Sequence, residues 1–166
     1  MEARQYPYWL IPLMFFLVLI DTHLGNWLSS LSHNDYIWNA HLVLITLLWA
    51  AYRLPKIPTI GLALGIGLVT DCYYLGIIGI YTVALPLMVW LIYILHATIY
   101  QNLYTMFFAL VIFLTGYELF VFIIQVLFKL TSTDSVFFIS RYLAPTLLLN
   151  IILFFALLLP YKKLFQ

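Results

Sequence analysis

Three acidic residues fall inside long apolar stretches of the chain, where a charged side chain is costly. Asp21, Asp71 and Glu118 are each flanked by predominantly apolar sequence. An ionisable side chain within a membrane span almost always faces the protein interior or a water-filled cavity and pairs with another group. These acids are therefore the first candidates for a role inside the protein.

The three acids are expected to lie at a similar depth. A rise of about 1.5 Å per helical residue, counted from the polar residues that precede each apolar stretch, places all three roughly 20–24 Å along their helices. Arg141 approaches this level from the opposite side, and its long side chain can extend toward it. We predict an intramembrane polar layer of Asp21, Asp71 and Glu118, with Arg141 as counter-ion. The alternative is that the acids are solvated at a membrane interface.

Glu118 also belongs to a polar stripe. Thr115, Gln125 and Lys129 accompany it at helical spacing, which predicts that this face contacts protein or a wet cavity rather than lipid. A transport path and a structural hydrogen-bond network fit this stripe equally well.

Catalytic and metal-binding chemistry is not predicted. The four histidines (His23, His33, His41 and His96) show no ligand spacing with a carboxylate, and Cys72 is the lone cysteine. A single cysteine excludes an internal disulfide and any cysteine-built zinc site. The serines lack the histidine and acid context of a nucleophile. We therefore expect neither an enzyme nor a cofactor.

The elements that position these residues must be apolar helices. Of the 166 residues, 66% are hydrophobic and 8% are charged, whereas a soluble domain carries about 25% charged residues. A soluble protein of this composition would expose large apolar patches. The chain is therefore expected to be an integral membrane protein. Its net charge of +1 gives no sign of the strongly basic surface that nucleic-acid binding requires.

We predict a single all-α membrane domain over residues 1–166 with six transmembrane helices, since each span needs about 20 residues. A signal peptide is the competing interpretation of the first span, but Pro12 and Asp21 interrupt it and no clear cleavage site follows, which favours a retained helix. The predicted spans are residues 8–24, 36–52, 59–74, 80–95, 103–127 and 136–159.

The distribution of basic residues predicts the orientation. With six spans, one side holds only Lys129 and Arg141, and the polar stretch 25–35 lies on that side. The other side holds five basic residues: Arg4, Arg53, Lys56, Lys162 and Lys163. Both termini are therefore predicted to be cytoplasmic.

The third predicted span carries closely spaced glycines. Gly61 and Gly65 form a GxxxG pattern, and Ala63, Gly67 and Asp71 form the neighbouring stripe. Small residues let helix backbones approach closely in lipid. We predict a packing groove, with Asp71 pressed against a neighbouring helix at its end. Packing within the chain is favoured over a dimer interface.

This span and the next form a recognisable motif. It is a glycine-bearing helix ending GLxxD, a short turn with glycines, and a helix beginning glycine–hydrophobic–Tyr. The motif residues are Gly61, Gly65, Gly67, Leu68, Asp71, Gly76, Gly79, Tyr81, Leu85 and Pro86. They resemble the MreD family, the rod shape-determining membrane proteins of bacteria. The apolar run ending at Asp21 is similar to the first helix of Gram-positive members.

The resemblance implies a non-enzymatic scaffold of the cell-elongation complex in the bacterial plasma membrane, supporting cell-shape determination and lateral peptidoglycan synthesis. It implies membrane lipid as surroundings and MreC as the foremost partner, with MreB, RodA and a class B penicillin-binding protein in the wider complex.

A small-molecule transport subunit is the alternative function. The family is similar in fold to the substrate-binding subunits of energy-coupling-factor vitamin transporters. Those subunits dock through alanines spaced four apart on their first helix, whereas residues 8–20 here contain no alanine or glycine. This difference favours the scaffold.

Overall fold

The computed structural model describes residues 9–33, 35–75, 79–131 and 134–165, and this range is helical without a β-strand. The all-helical class predicted from the sequence is confirmed. The helices are α1 (Leu10–Leu31), α2 (Leu42–Ala50), α3 (Lys56–Thr70), α4 (Ile80–Ile94), α5 (His96–Ile99), α6 (Leu103–Leu127), α7 (Ser135–Phe137) and α8 (Ala144–Phe165). π-Helical turns extend α3 over Asp71–Leu75 and join α7 to α8 over Phe138–Leu143.

Within the part of the chain that the structure describes, three helical segments are long and apolar enough to cross a membrane: Leu10–Leu31, Leu103–Leu127 and Ser135–Lys163. α4 is a shorter apolar helix that continues through Pro86. α1 continues past the end of the first predicted span, through Gly25 as far as Leu31. α8 likewise continues past the end of the last predicted span, through Pro160.

α2 lies at the centre of the bundle. All nine of its residues are buried, and it contacts α1, α3, α4, α6 and α8. A helix that is apolar on every side is expected to be surrounded by protein or lipid rather than water. The neighbouring helices supply that environment here.

The second predicted span, residues 36–52, does not begin as a helix. Residues 37–41 are not helical, and helix begins only at Leu42. The Ile37 N–H donates to the carbonyl of Arg141, in the π-helical turn before α8, at 2.9 Å. At Gly25 an added Cβ would lie 2.5 Å from the Trp38 carbonyl oxygen, so α1 approaches this segment at backbone distance. Contacts with other helices thus replace the hydrogen bonds of a local helix.

α3 and α4 pack closely at Gly67. A Cβ at this position would lie 2.5 Å from the Tyr81 carbonyl oxygen and 2.8 Å from the Thr82 Cα. At Gly61 and Gly65 a Cβ would meet nothing within 4 Å. The prediction that these two glycines form the groove is therefore wrong within this chain, because their face is turned outward.

The packing groove is instead the neighbouring stripe. Ala63, Gly67 and Asp71 are all buried at spacing four. At the end of the following connection, Gly79 has a φ of 131°, a conformation that favours glycine. Gly76, the other glycine of the predicted motif, lies outside the described residues.

Replacing Gly67 by alanine should therefore destabilise the protein. The added methyl group collides with backbone atoms of α4 that cannot move independently, and overpacking of this kind costs about 1–3 kcal/mol. Gly65→Ala is the matched control, because its Cβ has free space and alanine favours helix over glycine by about 1 kcal/mol. Thermal unfolding in detergent should show a lowered midpoint for Gly67→Ala only. Equal midpoints for the two variants would contradict this packing.

Candidate functional site

Asp71, buried at the end of α3, binds the start of α4. Its Oδ1 accepts a hydrogen bond from the Tyr81 N–H at 2.8 Å, and its Oδ2 accepts from the N–H groups of Gly79 at 2.8 Å and Thr82 at 2.9 Å. The Thr82 hydroxyl donates a further bond at 2.6 Å. The first N–H groups of a helix lack intrahelical acceptors, and the N-cap Gly79 has no side chain to supply one. Asp71 supplies this cap from the neighbouring helix.

Asp21 has the same role for α2. Its two carboxylate oxygens accept hydrogen bonds from the N–H groups of Leu42 at 2.9 Å and Val43 at 3.2 Å. The N-cap residue of α2, His41, makes no side-chain cap. The Asp21 carboxyl group also lies at the positive end of the α2 dipole, which favours its ionised form. The acids of α1 and α3 thus each hold the start of the next main helix.

α8 binds the non-helical segment before α2 through two buried side chains. Asn150 accepts from the His41 N–H at 2.8 Å and donates to the Asn39 carbonyl at 2.7 Å. Thr146 accepts from the Asn39 N–H at 3.2 Å. Irregular backbone at membrane depth is tolerated where protein groups satisfy it. Thr146 and Asn150 were not among the predicted residues, although their spacing of four within an apolar helix was a signal in the sequence.

Glu118 is paired with His41. The His41 Nε2 lies 2.5 Å from the Glu118 Oε1, and the two side chains are 13% and 2% exposed. The Tyr117 ring packs edge-on against the imidazole, with 5.2 Å between ring centroids. The sequence spacing of the histidines gave no sign of this contact with a carboxylate. The pair joins residues 77 positions apart, which only the packing of residues 37–41 against α6 brings together.

Arg141 is not the counter-ion of Glu118. Its Nη1 donates to the Asp35 carbonyl at 3.0 Å and lies 3.9 Å from the Asp35 carboxylate, and the guanidinium lies 5.2 Å from the Tyr36 ring centroid. Its side chain is 43% exposed. The predicted pairing of Arg141 with Glu118 is therefore wrong. Asp35 and Tyr36 hold Arg141 on the exposed side of the segment before α2, while His41 lies on the buried side of that segment.

The predicted stripe on α6 is not one continuous network. Glu118 is buried, whereas Lys129 is exposed. The Thr115 hydroxyl donates to the Val111 carbonyl of its own helix at 2.8 Å. Gln125 lines a cavity of about 220 Å³ together with Glu118. Of the four residues, Glu118 alone is fully buried, and they do not form one connected set along α6.

A polar cavity of about 140 Å³ lies between these groups. Asp21 and His41 line one side of it, and Tyr81 and Tyr117 line another. The two tyrosine rings are stacked with centroids 6.1 Å apart. Asn26 also lines the cavity and is exposed, so the cavity opens to the surface beside α1. The cavity has the size and polarity to hold water or a small polar molecule.

The three acids predicted to lie within the membrane, Asp21, Asp71 and Glu118, are engaged in holding the fold together. Asp71 accepts four hydrogen bonds and Asp21 accepts two, and Glu118 is paired with His41. Within the described residues, no group of three His, Cys, Asp or Glu side chains is arranged to hold a metal ion. The geometry therefore supports a structural network.

Comparison with known proteins relates the whole chain to one family. The family model described as rod shape-determining protein MreD matches residues 3–166. The chain is 28% identical over 138 residues to a protein of Streptococcus pneumoniae (strain ATCC BAA-255 / R6) named cell shape-determining protein MreD, covering 83% of this chain and 84% of that relative. No solved structure matches the chain significantly.

Because His41 and Glu118 form a buried pair, removing either side chain should destabilise the protein more than removing both. Breaking a buried pair costs about 3–5 kcal/mol, whereas replacing both partners by apolar residues can be nearly neutral. A double-mutant cycle of His41→Leu and Glu118→Leu, measured as free energies of unfolding in detergent, should show strong coupling.

Arg141→Leu provides the matched control for this cycle. Its side chain is half-exposed and bonded to Asp35, so its effect should add to that of Glu118→Leu without coupling. Zero coupling for His41 with Glu118, or strong coupling for Arg141 with Glu118, would refute the observed pairing.

Proposed function

The chain belongs to the MreD family of rod shape-determining membrane proteins, and we propose that it acts as a non-enzymatic membrane scaffold of the bacterial cell-elongation complex. The observation that carries this proposal is the family match over residues 3–166. A role in cell shape follows from the family itself. The finer proposal is that the protein holds other components of the complex in place and performs no chemistry of its own.

The use of the buried polar groups supports a scaffold. Asp71 and Asp21 each join two helices, and Asn150 joins α8 to the segment before α2. Carboxylates saturated by N–H donors of helix starts are poorly suited to act as bases or nucleophiles, since their lone pairs are already engaged. The same bonds make the bundle rigid, as a platform for partners requires.

We further propose six membrane crossings. α2, with nine residues, is too short to cross alone, at about 14 Å. Residues 37–41 add about 16 Å if fully extended, and the sum of about 30 Å matches the apolar thickness of a bilayer. α3 with its π-helical turn is a further crossing, and α4 is another. Together with the three long helical segments they make six crossings, which puts both termini on one side of the membrane.

The basic residues support a cytoplasmic location for both termini. Arg53 and Lys56 flank the connection between α2 and α3, and Lys162 and Lys163 lie near the end of α8. The proposed partners are those implied by the family: MreC in direct contact, with MreB, RodA and a class B penicillin-binding protein in the wider complex. The surrounding apolar side chains are proposed to contact lipid of the plasma membrane.

One observation favours the alternative of a small-molecule-binding transport subunit. The cavity beside Asp21, His41, Tyr81 and Tyr117 is polar, reachable beside Asn26 and larger than a single water requires. Under this alternative, the fold shared with substrate-binding subunits of energy-coupling-factor transporters would be used for transport. The family match favours the scaffold.

A pull-down from native membranes separates the two functions. The tagged chain, expressed at its natural level, should recover MreC, and an unrelated membrane protein with the same tag should not. Recovery of paired ATPase subunits in place of MreC would refute the scaffold and support transport. Expression should also restore rod shape to cells that lack their own MreD, whereas the Gly67→Leu variant should fail because its bundle cannot close.

Cysteine labelling tests the proposed orientation. In a Cys72→Ala background, Ser135→Cys lies at the start of α7 and Lys163→Cys lies near the end of α8, and both positions are exposed. A membrane-impermeant thiol reagent should label Ser135→Cys in intact cells and Lys163→Cys only after permeabilisation. The reverse pattern would contradict cytoplasmic termini, and labelling of both in intact cells would contradict a crossing between them.

A further inference from the structure

The polar cavity beside Asp21 has a lining that helix capping does not explain. Its volume of about 140 Å³ exceeds what a single water needs. The side chains of Asp21, Tyr81 and Tyr117 line it together, and exposed Asn26 lies where it opens to the surface. A small molecule can therefore enter, and the chemistry of the lining indicates which kind.

Tyr117 presents an unused polar group to this cavity. The residue is 3% exposed, and its hydroxyl has no hydrogen-bond partner among the described residues. In the same part of the chain, the fully enclosed side-chain nitrogens and oxygens without a partner are the indole nitrogens of Trp38 and Trp49. The Tyr117 hydroxyl is therefore not sealed by protein, and the open space that Tyr117 lines is this cavity. A bound molecule would give the hydroxyl its missing partner.

Asp21 has capacity left for a ligand. It accepts hydrogen bonds from the N–H groups of Leu42 and Val43, whereas a carboxylate can accept about four. Asp71, by contrast, accepts four already. The start of a helix commonly binds an anion through its free N–H groups. Here Asp21 occupies two of the N–H groups that an anion would use.

The threonine hydroxyls that line the cavity can only accept hydrogen bonds from a ligand. Thr22 donates its proton to the Val18 carbonyl at 2.9 Å, and Thr70 donates to the Ile66 carbonyl at 2.8 Å. A hydroxyl has one proton and two acceptor lone pairs. The lining is therefore rich in acceptors and complements a ligand that carries several N–H donors.

The charges around the cavity favour a cation. Of the described carboxylates, Asp21 alone lines it, and none of the described lysines and arginines does. The pair of His41 and Glu118 adds no net positive charge, because the carboxylate balances an imidazolium. The aromatic rings of Tyr81 and Tyr117 also attract positively charged groups.

The apolar part of the lining favours an organic ammonium ion over a metal ion. Val18, Leu44 and Leu85 line the cavity and offer no oxygen atoms, whereas Ca²⁺ and Mg²⁺ take about six or more oxygen ligands. They suit a short hydrocarbon group instead. A lipid headgroup with an ammonium group also carries a phosphate, which would have no described lysine or arginine in the lining to balance it. A free small amine therefore fits better than a lipid.

We propose that this cavity binds a small primary ammonium ion with a short hydrocarbon group. The ammonium group donates hydrogen bonds to the Asp21 carboxylate and the Tyr117 hydroxyl, and the hydrocarbon group lies against Leu44 and Leu85. The site goes beyond the proposed scaffold function and does not depend on it, since its test measures ligand binding and not partner recovery.

Thermal unfolding of the purified full chain in detergent tests the proposal. The probes are n-butylammonium chloride, butanol, sodium butyrate and sodium chloride at equal concentrations. At about ten times its Kd, n-butylammonium should raise the unfolding midpoint by about 4 °C, because a ligand that binds only the folded state stabilises it. The other three probes should leave the midpoint nearly unchanged.

The comparison of probes can overturn each part of the proposal. No shift with n-butylammonium would overturn the site. An equal shift with butanol would overturn the need for a positive charge, and an equal shift with sodium chloride would show an effect of ionic strength alone. Stabilisation by short-chain phosphatidylethanolamine but not by n-butylammonium would overturn the assignment to a free amine.

Tyr117→Phe assigns the effect to the cavity. It keeps the ring and removes the hydroxyl, so the affinity for n-butylammonium should fall about tenfold, as for a lost hydrogen bond to a charged group. Without ligand this variant should be as stable as the parent, because the hydroxyl has no protein partner to lose. Tyr104→Phe is the matched control, since Tyr104 is 80% exposed and outside the lining. Equal losses of affinity in the two variants, or a lowered midpoint of Tyr117→Phe without ligand, would contradict the assigned role.

Asp21→Asn tests the charge. The variant keeps an oxygen for the start of α2 and removes the negative charge, so calorimetric titration well below its unfolding midpoint should show at least tenfold weaker binding of n-butylammonium. Asp35→Asn is the matched control, because Asp35 is exposed and lies outside the lining. Equal losses in the two variants would overturn the site, because they would show attraction by overall charge. If Asp21→Asn does not fold, the two tyrosine variants decide.

Discussion

The constraint on which this structure depends is that the first N–H groups of a helix need acceptors even where water is scarce. In a soluble protein, water or a local serine meets this need. Here Asp21 and Asp71 reach from α1 and α3 to the starts of α2 and α4. Each acid therefore fixes where the next helix begins and how it lies against its neighbour.

Close backbone approach and carboxylate capping are two parts of one arrangement. The hydrogen bonds from Tyr81 and Thr82 to Asp71 are short because α4 lies directly on α3, and that approach requires glycine at position 67. Asp71 lies one helical turn beyond Gly67 on the same face. The spacing GLxxD is thus explained by geometry: the glycine sets the distance, and the acid bonds the helix start. Gly79 completes the arrangement with a positive φ.

The sequence predicted the parts of this structure that local pattern determines. Apolar runs gave the all-helical class, and the cost of a buried charge singled out Asp21, Asp71 and Glu118. Prediction from the sequence failed where long-range packing determines the structure. The GxxxG pattern could not show which face of α3 meets α4, and the non-helical residues 37–41 depend on donors and acceptors from α8 that are over one hundred positions away.

The pairing of Glu118 shows why such choices need the fold. Arg141 has the permanent positive charge and the longer reach, so it is the obvious partner by residue type. Binding a guanidinium within the bundle would require stripping more water from it than from an imidazole, and Arg141 instead remains half-exposed beside Asp35. His41 is already buried by the bonds that hold residues 37–41 in place, so its pairing with Glu118 needs little further desolvation. The backbone arrangement therefore selects the partner, and charge alone does not.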